Sequence, residues 1–190
     1  MVILNRLFRN TSAVAQSFLD IETTSLCADT GMLVCSVIRR RGKDLLFFVD
    51  SPRNERRVLD RLCAEISKCD TLVTFNGRSF DLPFIVSRRL VLGAKDTGLA
   101  PVCHLDLFDS CRQILRFDKL SLDHIARVLG IEVDATLTGR EIPHLYNTYL
   151  AGRSRQVRQQ IIDHCVSDVR TLEKVYLRLE PLLAGEGVRP

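Results

Sequence analysis

Apolar and polar positions first alternate with a period near two. Three strand-like runs, about Gln16–Glu22, Met32–Arg40 and Asp44–Asp50, carry that pattern. Gly31 and the pair Arg41-Gly42 stand between them. Short turn-forming links of this kind predict an antiparallel meander. The period then lengthens. Over about Asn54–Lys68, the residues Val58, Leu59, Leu62 and Ile66 recur at three- and four-residue spacing, which predicts a helix with one apolar face. A strand at Thr71–Phe75 follows, then a helix over about Leu82–Leu92. A strand over about Val102–Phe108 comes after a loop bearing Gly and Pro. Ser121 reads as the N-cap of a helix through Leu129, with Asp123 in its first turn and Gly130 as its stop. Two helices, about His144–Ala151 and Arg155–Leu179, end the pattern.

Three antiparallel strands followed by crossover helices predict an α/β fold. Its sheet has five strands and is mixed, with the last two strands parallel and helices on both faces. The 190 residues suit one domain, residues 1–190. Its expected core spans about residues 16–180. A weakly patterned lead-in precedes it, and Ala184–Pro190 is expected to be a loose tail. No repeat or low-complexity segment interrupts the chain.

Composition changes this picture little. Hydrophobic residues make up 46% and charged residues 26%, which is enough apolar surface for a real core. No apolar run approaches the roughly 18 residues needed to span a bilayer. Asn5, Arg6 and Arg9 break any signal-like segment at the start, so a cytoplasmic protein without a membrane partner is expected. The seven cysteines are odd in number and form no C-x-x-C pair, which argues against a zinc site or a disulfide framework. The net charge is +4, and 22 of the 27 basic residues are Arg. Arg suits bidentate phosphate contacts, so charge allows a nucleic-acid partner. Genomic base composition also enriches Arg, so charge alone does not establish one.

The candidate chemistry lies in carboxylates. Along a strand, residues two apart face the same way, so Phe18, Asp20 and Glu22 share one face of FLDIET. The two acids lie roughly 7 Å apart along the backbone and can converge on one cation. A solvated strand face is the plain alternative. In the last helix the apolar stripe runs through Val157, Ile161, Cys165, Val169, Leu172, Val175 and Leu179. His164 and Asp168 flank that stripe and are four apart, hence neighbours on the helix surface. A carboxylate pressed toward a core is costly unless paired or bound to metal. The alternatives are a local His–Asp pair or a helix turned so that Asp168 meets water. In TFNGRSFDLPF, Asn76-Gly77 makes a turn and Asp81 falls near a helix start, with Pro83 in the first turn. Asp81 is either a cap or a third acidic contribution to the sheet's active edge. Four acids gathered in one small domain repel one another unless cations neutralise them, and oxygen ligands select Mg²⁺ or Mn²⁺ over zinc.

At these residues the sequence resembles the DEDD exonucleases of the ribonuclease H-like superfamily. FLDIETTSL resembles their first motif, D-x-E; LVTFNGRSFDLPF their second, N-G-x-x-F-D; and HCVSD their third. The resemblance is closest to the bacterial YprB-like group, where it extends to VCHLDLFDSCR, LDHIARVLGIE and EIPHLYNTYLAG, and it covers about Ser17 to Tyr176. It implies a ribonuclease H-like fold. It also implies 3′→5′ exonuclease activity on a nucleic-acid 3′ end, single-stranded, with release of nucleoside 5′-monophosphates. Asp20, Glu22, Asp81 and Asp168 are then the ligands of two divalent cations, Mg²⁺ or Mn²⁺. Thr23, Leu26, Asn76 and Phe80 match positions that touch the terminal nucleotide, and a base could stack on Phe80. One departure stands out. One subclass places Tyr four residues before the last Asp, and the other places His five before it. Here His164 is four before Asp168, so its residue type matches one subclass and its spacing the other. His164 is expected to act as general base, or only to orient the water. Asp106 follows two residues after His104 and is expected to support the site without ligating. Two other readings stay open: a ribonuclease H-like endonuclease, and a non-catalytic nucleic-acid-binding module.

Overall fold

The structure is a computed structural model, and it describes residues 15–133 and 137–185. The lead-in up to residue 14 and the tail beyond 185 lie outside the described residues.

The meander consists of β1 (Gln16–Thr23), β2 (Leu33–Arg40) and β3 (Lys43–Phe48), paired antiparallel in sequence order. Its second turn is tight because Arg41 and Gly42 both adopt positive φ, 51° and 74°, which matches the twist of the flanking strands. β4 (Thr71–Thr74) pairs parallel with β1, and β5 (Cys103–Asp106) pairs parallel with β4. The strand order is β3-β2-β1-β4-β5, so the sheet is mixed and five-stranded as expected. Helices α1 (Glu55–Ile66) and α2 (Asp81–Val91) make the two crossovers. α3 (Leu107–Ile114), α4 (Leu122–Val128), α5 (Ile142–Gly152) and α6 (Arg155–Gly185) complete the chain.

Helices cover both faces of the sheet, so consecutive β2 residues are buried: Leu33, Val34, Cys35, Val37 and Ile38. The α6 stripe enters this core as the periodicity predicts, through Ile161, Cys165, Val169, Leu172, Val175 and Leu179, while Val157 stays at its margin. Tyr176 of α6 meets Phe18 of β1 edge-on, with ring centroids 5.5 Å apart. α5 is anchored to the end of the meander: Tyr146 Oη donates to Val49 O at 2.8 Å, and Tyr149 Oη to Asp50 Oδ1 at 2.8 Å.

The alternating run Val102–Phe108 is not one strand. Asp106 ends β5 and caps α3, its carboxylate accepting from Phe108 N at 3.1 Å. From there Leu107, Cys111 and Ile114 sit at helical spacing, and Leu107 and Cys111 are fully buried. Period two carries into period four at that cap, which is why the expected strand runs into the first two residues of α3 and the rest of that helix carries no expectation. A second buried feature ties α1 to α2. Glu55 is fully buried and accepts from Leu33 N at 2.8 Å, and from Arg88 Nε and an Arg88 terminal nitrogen at 2.9 Å each. Glu55 thus accepts three hydrogen bonds, two from Arg88 in a bidentate pair and one from a backbone amide.

Candidate active site

β1 outruns its parallel neighbour. Pairing with β4 covers Gln16 to Phe18 only, and β1 continues to Thr23. Asp20 and Glu22 lie on this overhang, at the carboxyl end of the central strand, where open α/β sheets bind ligands. Asp81 starts α2 beside it. Its carboxylate accepts from its own backbone N–H and from that of Ile21, so it occupies the open edge of the overhang. On the other side, α6 packs against β1 and brings His164 and Asp168. His164 Nε2 lies 3.3 Å from Glu22 Oε1 and 3.8 Å from Asp168 Oδ2. The four acids and His164 therefore line one cleft of about 440 Å³.

The electrostatics follow from this crowding. Burial, and then the charges of Glu22, Asp168 and Asp81, push Asp20 well above the usual carboxylate range. Burial, followed by Asp168 and Asp81, raises Glu22 to about 8. Burial raises Asp81 to about 7. Its two backbone hydrogen bonds oppose the rise, and nearby Asp106 adds to it. Three acids that cannot all ionise together in one cleft fit a site completed by cations. One ligand atom each from Glu22, His164 and Asp168 lies within 4.8 Å of the others, and the same holds for Asp20, Glu22 and Cys165. Cys165 does not join the second set as a thiolate. Burial pushes its thiol well above the usual range, so it stays protonated, with Sγ 3.5 Å from Asp20 Oδ2 in position to donate. The carboxylate oxygens left are donors of the kind that hard divalent cations take.

The turn before α2 is built around Asp106. Its carboxylate accepts from Asn76 N and Arg78 N, both at 2.8 Å, besides capping α3. Asn76 takes a left-handed conformation, φ 64°, and Gly77 is packed so closely that a β-carbon there would lie 2.4 Å from Thr74 Oγ1. Asp106 thus supports Asp81 through the backbone and lines no part of the cleft.

Of the four residues matched to substrate contacts, Thr23, Leu26 and Phe80 line the cleft. Asn76 is exposed on the turn and lies outside the cleft lining. Leu26 is 81% exposed, a large apolar side chain standing free at the cleft mouth. The sequence reading missed one wall: Gly139, Arg140 and Pro143, from the turn that leads into α5. Pro143 lies in EIPHLYNTYLAG and opens α5, and Gly139 and Arg140 immediately precede that motif, but nothing in the local pattern tells which way the turn faces.

A family model described as the RNase H superfamily matches residues 17–180. The chain belongs to the RNase H superfamily. The matched span of this RNase H superfamily chain contains all four carboxylates and His164. A curated relative, the uncharacterized protein YprB of Bacillus subtilis (strain 168), is 24% identical over 181 residues, covering 91% of this chain and 44% of the relative. The chain thus spans less than half the length of that relative. Among solved structures, the family B DNA polymerase of the hyperthermophilic archaeon Pyrobaculum calidifontis superposes with a TM-score of 0.75. The identity is 19%, over 90% of this chain and 25% of the polymerase, which is a likeness of fold. No helix among the described residues is long and apolar enough to cross a membrane.

Proposed function

We propose that the chain is a metal-dependent 3′→5′ exonuclease that removes nucleoside 5′-monophosphates from the 3′ end of single-stranded DNA or RNA. The observation that carries this reading is the convergence of Asp20, Glu22, Asp81 and Asp168 with His164 in one cleft, three of the acids held above their ordinary titration range. Asp20, Glu22, Asp81 and Asp168 would hold two divalent cations, Mg²⁺ or Mn²⁺. Cations bound there supply a lowered pKa for the attacking water and neutralise the charge that develops on the phosphate. His164, next to Glu22 and Asp168, takes the proton of that water or holds the water in line. Phe80, Leu26 and Thr23 line this cleft and would contact the terminal nucleotide, with its base stacked on Phe80. A cleft of about 440 Å³ has the size of a small-ligand site, which suits one terminal nucleotide better than a stretch of duplex.

The test is a single-stranded oligonucleotide labelled at its 5′ end, incubated with the protein and Mg²⁺ or Mn²⁺. A ladder shortening from the 3′ terminus, with mononucleotide product, supports the reading. Internal cuts in a circular single strand would make the protein an endonuclease. Binding without any release of nucleotide would make it a non-catalytic binding module.

A further inference from the structure

The cleft is acidic on three sides, yet its substrate carries phosphate. Arg140 is the one basic side chain among the described residues that line it, His164 apart. We propose that Arg140 grips a phosphodiester of the substrate strand, at the bond that is cut or the one before it, and so aligns the strand against the carboxylates. This inference rests on the exonuclease reading above.

The turn that presents Arg140 is a built structure. Glu141 N donates to Thr138 O at 2.9 Å, which closes a four-residue turn over Thr138–Glu141. Glu141 Oε2 accepts from both Thr138 N and Thr138 Oγ1 at 2.9 Å, so the turn is laced by its own ends. These hydrogen bonds hold Glu141's carboxyl below its usual range, in the ionised form that makes them. The turn runs directly into α5, whose Ile142 is fully buried and whose tyrosines are tied to the end of the meander. Position is fixed from the other side as well: a β-carbon on Gly139 would lie 3.8 Å from Glu22 Oε2, so the turn lies against the catalytic carboxylates. None of the turn's hydrogen bonds uses the Arg140 side chain, and its guanidinium is exposed with no ion-pair partner among the described residues. An always-charged planar fork on a rigid turn is suited to a phosphate, which it can meet with two N–H groups. Its charge offsets the acid cluster that would otherwise repel the incoming strand.

The experiment compares wild type with Arg140→Ala and Arg140→Lys. Binding of a fluorescent single-stranded oligonucleotide is measured with Ca²⁺ in place of Mg²⁺, and cleavage is measured separately with Mn²⁺. Arg140→Ala should weaken binding roughly tenfold or more, as loss of a charge-assisted contact does. The slope of log affinity against log salt should fall by about 0.7, the value for one phosphate contact on a single strand. Arg140→Lys should recover part of the affinity and all of the slope. Oligonucleotides bearing one neutral methylphosphonate linkage, moved stepwise from the 3′ end, should erase the Arg140→Ala defect at a single linkage. A defect of equal size at every linkage, or an unchanged salt slope, overturns the proposal. If wild type binds and cleaves but Arg140→Ala matches it, only the role of Arg140 fails. If wild type neither binds nor cleaves, the exonuclease reading and this inference fall together.

Discussion

Glu22→Gln in the metal-free protein tests the electrostatic core of the site. In the folded state burial and the neighbouring acids hold Glu22 at about 8, whereas its ordinary value is 4.5. Between those two values the folded chain keeps a proton that the unfolded chain has released. Unfolding therefore gains on folding as pH rises, and stability is lost from about pH 4.5 until about pH 8. The full span corresponds to about 5 kcal/mol. Asp20, Asp81 and Asp168 share the same repulsion, so removing one partner should recover roughly half, about 2–3 kcal/mol. For a chain of this size that is about 5–10 °C in Tm. The assay is thermal unfolding in EDTA at pH 5, 6, 7 and 8, followed by circular dichroism. The two proteins should melt close together at pH 5, and the variant should be the more stable at pH 8. Mn²⁺ at pH 8 should then raise the Tm of wild type more than that of the variant. A gap that does not change with pH, or a wild type that gains on the variant from pH 5 to 8, would refute the reasoning.

Other outcomes follow from separate parts of the structure. Asp168→Ala should abolish cleavage of matched DNA and RNA oligonucleotides while leaving the circular dichroism spectrum unchanged; substantial residual cleavage would sink the assignment. Asp106→Ala removes the acceptor of three backbone N–H groups, from Asn76, Arg78 and Phe108. It should cost about 2–4 kcal/mol in urea unfolding and lower kcat through the loosened Asp81, with KM little changed. Arg88→Ala leaves Glu55 fully buried with a single amide partner, and should cost about 3–5 kcal/mol by the same measurement. A cost under about 1 kcal/mol would mean that water reaches Glu55.

Much of the fold was legible in periodicity, because its signals are local. Val58, Leu59, Leu62 and Ile66 declare the face of α1 by their spacing, and all four are buried. Arg41-Gly42 declares the hairpin by the conformations it permits. Asp20 with Glu22, and His164 with Asp168, could be paired from the repeat of a strand and of a helix. Failures came where one residue serves two elements or where the partner is far along the chain. Asp106 ends a strand and starts a helix, which hid α3. Asp81 answers to the amide of Ile21, sixty residues earlier, and no local pattern carries that contact. The Cys165 thiol beside Asp20 and the turn of Arg140 beside Glu22 are likewise products of packing.

The overhang of β1 has a consequence for how inactive forms of the protein should be made. Asp81 closes an unpaired strand edge as well as lining the cleft, because Ile21 N–H has its carboxylate as partner. Truncating it would leave that main-chain donor without its partner at the cleft edge, and the strand that carries Asp20 and Glu22 would be free to shift or to recruit a foreign edge. Loss of activity in such a protein could not be told apart from loss of shape. Asp168 stands on α6, with His164 one turn before it on the same face, and carries no strand edge. An Asn there keeps the side chain's size and removes only its charge, which makes Asp168→Asn the gentler way to an inactive protein.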